Sequence, residues 1–141
     1  MKLIFGIATA ALLLSSAPAF AQAPPGGVPV GAGLQRGVMG LNNSGQTGFV
    51  TLFRGDGQTR LVTSLEGTLP GRVQMVTLQR GKTCDAIQPG IIARSADMSH
   101  GISRGSLPMT EDRLLYGNYV VIVYSNNRPG ARMVACGQLY R

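Results

Sequence analysis

The side chains able to do chemistry are few: one histidine, His100, two cysteines, Cys84 and Cys136, six carboxylates and no tryptophan. His100 stands in DMSHG at residues 97–101, close to Met98 and upstream of Met109. Thioether sulfur beside an imidazole nitrogen is a donor set that copper(I) favours, so Met98, His100 and Met109 are one candidate metal site. The same stretch runs into Gly101-Ile102-Ser103-Arg104-Gly105, formally the G-x-S-x-G nucleophile elbow. That motif acts at a strand-to-helix corner, with its histidine arriving from far down the chain. Here His100 precedes Ser103 and no histidine follows, so Ser103 reads as part of a polar loop. Glu111-Asp112 is the only adjacent acidic pair. Neighbours on a helical turn point apart, which argues against joint acid–base work and for complementing a helix dipole. No residue is assigned a catalytic role.

The cysteines are not spaced C-x-x-C, so a redox-active dithiol is not expected. Cys84 lies just past a strand end in RGKTCD, and Cys136 lies inside the terminal stretch ARMVACGQL. In an exported chain with two cysteines a disulfide is favoured. It would close a loop of about 50 residues, worth roughly 4 kcal/mol in the chain-entropy account. Two free thiols buried as small hydrophobes are the other reading.

Export is read from the first residues. Lys2 precedes the apolar run LIFGIATAALLL at 3–14, and Ala19-Phe20-Ala21 offers an A-x-A cleavage site, with the cut before Gln22. The run is too short to span a bilayer, and no later segment approaches its length, so no transmembrane segment is expected. The signal peptide is therefore 1–21, and the product is periplasmic or secreted. Losing Lys2 leaves twelve of the thirteen Lys and Arg residues against six Asp and Glu, a formal +6, and all but Lys82 are arginine. These cations are scattered singly. A scattered excess draws a protein to anionic surfaces, whereas a nucleic-acid reader shows a basic patch or stripe.

Residues 22–37, QAPPGGVPVGAGLQRG, are Pro/Gly-rich and without periodicity, as in a flexible arm. From residue 38 to 141 the period is two. TGFVTLFR (47–54) and TRLVTSLE (59–66) flank the turn GDG and read as a β-hairpin. RVQMVTLQ (72–79), GIIAR (90–94), a short strand around 104–107, GNYVVIVYS (117–125) and ARMVACGQL (131–139) follow. TEDRLL (110–115) predicts a single helical turn capped by Thr110. About seven or eight short strands with Gly, Pro and Asn turns predict an all-β Greek-key barrel or sandwich.

Four stretches carry a resemblance: SGQTGFVTL (44–52), TLQRGKTC (77–84), VIVYSNN (121–127) and VACGQL (134–139). Together they resemble the copper/zinc superoxide dismutase fold family, and more closely its small exported bacterial members. The resemblance implies a Greek-key barrel with a disulfide from the loop holding Cys84 to the last strand at Cys136. It does not bring the metal chemistry. The family's copper-ligand histidines fall on Thr77, Gln79 and Tyr124, a hydroxyl, an amide and a phenol, where copper prefers imidazole. The family's active-site arginine falls on Met133, with Arg132 one residue off and so on the other strand face.

The function expected from the sequence is that of an exported, non-enzymatic, superoxide dismutase-like β-barrel without a metal site or cofactor. It would bind an unidentified protein, a small ligand or an anionic envelope component, and not nucleic acid. The alternative is a metal-dependent dismutase relative, or a copper(I) binder using Met98, His100 and Met109.

Overall fold

The structure, a computed structural model, describes residues 33–141. The expected signal peptide and residues 22–32 of the expected arm lie outside this range. In chain order come β1 (Leu34–Gly40), β2 (Thr47–Arg54), β3 (Thr59–Glu66), β4 (Val76–Gly81), β5 (Ile87–Arg94), β6 (Ile102–Leu107), α1 (Glu111–Tyr116), β7 (Tyr119–Tyr124) and β8 (Met133–Gln138). The strands form one antiparallel sheet ordered β5-β4-β7-β8-β1-β2-β3-β6. The sheet curls into a half-barrel, so alternate residues from distant strands meet inside it. Val50, Leu52, Leu61, Leu65, Val76, Leu78, Val121 and Val123 are all buried in that one cluster. Each such side chain contributes about 1.5–3 kcal/mol relative to exposure, which is what fixes the register.

The β2–β3 hairpin has the boundaries its alternation predicts. Gly57 takes the left-handed φ of 68° that the GDG turn requires. β7 lies between β4 and β8, as its near-continuous apolar composition predicts. Several boundaries move; β5, for one, begins at Ile87 rather than Gly90. β1 begins at Leu34, so the strand takes in the last residues of the stretch expected to be irregular. Leu34 pairs with Leu52 and Val38 with Gly48, but Gly37, opposite Phe49, presents no side chain and hides the alternation. β4 starts at Val76 rather than Arg72 and runs on to Gly81; the residues before it are tied in by an isolated bridge, Gln74 to Met98, and by backbone bonds of Met75 with Tyr124 and Asn126.

α1 packs on β2 and β7, burying Leu114 and Leu115. Its first turn is capped by Thr110, whose Oγ1 accepts from Arg113 N at 3.3 Å. Glu111 and Asp112 converge on one guanidinium, Arg54 at the end of β2, at 3.4 and 3.1 Å. That pairing gives the acidic dipeptide a structural role beyond dipole complementarity.

The free edges of the sheet are β5 and β6, and they approach each other just beyond β5. Ser103 Oγ on β6 donates to Ala96 O at 2.5 Å and lies 3.2 Å from Ser95 Oγ. A Cβ at Gly105 would collide with Ser95 Oγ, so this approach needs glycine.

A second, smaller cluster covers the opposite face of the sheet. Val120, Ile122 and Cys136 are fully buried there beneath Leu41, Cys84, Ile87, Tyr124 and Met133. The Cys84–Cys136 disulfide spans 52 residues and holds the loop after β4 against β8. Among the described residues no helix is long and apolar enough to cross a membrane.

Candidate binding site

Strand β4 has one face in the half-barrel core, through Val76 and Leu78, and the other turned outward, through Met75, Thr77 and Gln79. Antiparallel pairing sets Thr77 opposite Ile122 of β7 and Arg94 of β5, and Gln79 opposite Val120 and Ile91. Directly paired residues project from the same face. Thr77 and Gln79 are therefore beneath the outer cluster, at 1% and 3% exposure.

Three residues singled out by the resemblance, Thr77, Gln79 and Tyr124, meet here. Gln79 Nε2 donates to Thr77 Oγ1 at 3.1 Å and to the Tyr124 hydroxyl oxygen at 2.5 Å. Both hydrogens of the buried amide are thus satisfied, as a polar group away from water requires. The trio is neutral, and its donors and acceptors are turned toward one another. Tyr124 accepts from Gln79 and keeps its own hydroxyl proton available. Met133, where an arginine was sought, pairs with Tyr124 and packs on the outer cluster.

Next to the trio opens a pocket of about 460 Å³, lined by Met75, Ile91, Arg94, Tyr124 and the 127–131 turn. Its volume falls in the range usual for small-molecule sites. The turn is tied down at both ends. Asn127 Nδ2 donates to Asp97 Oδ2 at 3.1 Å, and Ser125 N donates to Arg132 O at 2.8 Å. Arg94 Nη2 meets the other Asp97 oxygen at 2.6 Å. Burial pushes the Asp97 carboxyl upward, but hydrogen bonds from Arg94 and Asn127, with the charge of Arg94, outweigh it and leave the group below the ordinary aspartate range. Asp97 is thereby held ionised and occupies Arg94. Arg128 has no acidic partner among the described residues.

The other sequence candidates are dispersed. Met98 and Met109 are buried in the main core, whereas His100 is exposed at a φ of 51°, its Nδ1 bonded to Ser99 Oγ at 2.9 Å. The three do not present a common surface. Ser103 is buried inside β6 and not at a strand-to-helix corner. Among the described residues no three His, Cys, Asp or Glu side chains gather in a metal-holding arrangement. The pocket itself was not anticipated. Its lining comes from separate segments, and the only local signal was NNRPG, read simply as a turn.

No family model, curated protein or solved structure matches this chain.

Proposed function

We propose that this chain is an exported, non-enzymatic binding protein on a Greek-key barrel of the copper/zinc superoxide dismutase type, with the pocket beside Tyr124 as its binding site. The strand order supports the Greek-key assignment: β3 neighbours β6 and β4 neighbours β7, so the two halves exchange strands through long connections. The loop-to-last-strand disulfide supports the family assignment. One observation carries the non-enzymatic reading: Thr77, Gln79 and Tyr124, at the positions matched to copper ligands, bond to one another through Gln79. A neutral hydroxyl, amide and phenol are poor ligands for copper, and this amide has both protons engaged within the trio. Of the other motif residues, Ser103 is bonded to Ala96, and Glu111 and Asp112 pair with Arg54.

Metal analysis of the protein purified from the periplasm, with a superoxide-consumption assay on the same sample, tests this. The expected result is less than a tenth of an equivalent of copper or zinc and no consumption above the buffer rate. A stoichiometric metal that survives His100→Ala would overturn the reading, and one abolished by that substitution would favour the copper(I) binder.

A further inference from the structure

We infer that the Tyr124 pocket takes a small amphipathic monoanion: a flat apolar or aromatic body bearing one carboxylate or sulfate group. This deepens the proposed function, since it names the ligand class of the same site.

The body is specified by the walls. Met75, Ile91, Pro129 and the Tyr124 ring offer apolar contact from separate segments, and Ile91, 51% exposed on edge strand β5, has nothing covering it. Methionine adapts its shape to what it packs on, and a tyrosine ring suits a flat partner. The charge is specified by what is left over. Arg94 and Arg128 both line the pocket, but Arg94 is neutralised by Asp97 at 2.6 Å. Arg128 is uncommitted, so the site carries one unbalanced positive charge and suits one anionic group. Asp97 also anchors Asn127 at 3.1 Å, which ties down the turn from which the exposed Arg128 lines the pocket. Arg128 N in turn donates to Asn126 Oδ1 at 2.9 Å, fixing the start of the turn. The Tyr124 hydroxyl, whose oxygen already accepts from Gln79, has its proton left to donate to a polar group of the ligand.

The test is an amide-resolved NMR titration of the processed, oxidised protein with three probes: 1-naphthoate, the neutral 1-naphthamide and inorganic phosphate. The expected result is saturable naphthoate binding that shifts the amides of Tyr124 and the 127–131 turn. The naphthamide should bind about three- to tenfold more weakly, as should naphthoate to Arg128→Gln, the size of effect one partly exposed charge-assisted bond gives. Arg104→Gln, an exposed charge change on β6 away from the pocket, should bind as the parent does. Phosphate should not saturate at concentrations where naphthoate does. Equal affinity for acid and amide, shifts centred elsewhere, or no saturable binding would each overturn the ligand class. Metal content measured on the same sample keeps the two proposals apart. A stoichiometric metal with naphthoate binding intact removes the non-enzymatic reading alone, and metal-free protein that ignores naphthoate removes the ligand class alone.

Discussion

Reducing the Cys84–Cys136 bond should cost this fold a large share of its stability without dissolving its sheet. The bridge joins residues 52 apart. The chain-entropy expression then gives about 14 cal/mol/K removed from the unfolded ensemble, or about 4 kcal/mol at 25 °C. Against an ordinary domain stability of about 5–15 kcal/mol, the reduced protein stays folded but sits much nearer its threshold. For a domain of this size the loss lowers the melting temperature by on the order of 15–25 °C. Thermal melts of oxidised and phosphine-reduced protein measure it directly, because reduction keeps both sulfurs and their packing. The Cys84→Ala/Cys136→Ala variant should melt slightly below the reduced parent, since Cys136 is fully buried beside Val120 and Ile122. Hydrogen exchange locates the effect: amides of the loop holding Cys84 should exchange faster, and those of β2 and β3 should change only through global stability. A reduced form melting within about 5 °C of the oxidised one would refute the claim that this clasp constrains the chain as its loop length implies.

Gln79→Leu should destabilise by about 1–3 kcal/mol in urea unfolding, because it leaves Thr77 without its donor in a buried setting; parent-like stability would show that the trio is solvated. Gly105→Ala should lose about 1–3 kcal/mol by forcing a Cβ into Ser95. Gly37→Ala, with nothing within 4 Å of the added carbon, should stay within about 0.5 kcal/mol, and equal effects would refute the seam packing. The Asp97 carboxyl is depressed in the fold, so its stabilisation is complete above the unfolded value of about 3.9 and is lost as pH falls through the lower folded value. The Asn127 side-chain resonance should therefore move with a midpoint below about 3.9, and a midpoint at or above it would count against the Arg94–Asp97–Asn127 anchor.

Legibility in the sequence followed how local the determining physics was. The hairpin 47–66 and the Thr110 cap were readable because alternation, turn glycine and capping hydroxyl act within a few residues. β1 was obscured because its pairing with β2 and β8 is decided by distant residues, while its own glycines imitate a linker. β5 was read short because Pro89 and Gly90 look like a break. On an edge strand a missing N–H costs little, so the pairing continues back to Ile87. Thr77, Gln79 and Tyr124 were picked out by correspondence with ligand positions, and the bonds joining them come from the registry of β4 against β7. The pocket needed the whole topology, since Ile91 and Arg94 come from one edge and Asn127 to Ala131 from a turn more than thirty residues later.

What unites these features is the double burial of β7. Its inward residues Val121 and Val123 belong to the main core, and its outward residues Val120 and Ile122 belong to the second cluster under Cys84. The outward face is sealed at the end where β4 runs into the disulfide loop. It opens at the other, where Tyr124 and Met75 meet the 127–131 turn. Thr77 and Gln79 lie between those ends, and their buried polar groups have to be satisfied from within. An amide bonded to both a hydroxyl and a phenol does this while spending no charge. Tyr124 then serves both regions, packing on the sealed cluster and lining the open pocket. A rigid aromatic held by a buried amide and backed by a covalently clasped core is a preorganised wall, and preorganisation lowers the ordering cost of whatever the proposed site would bind.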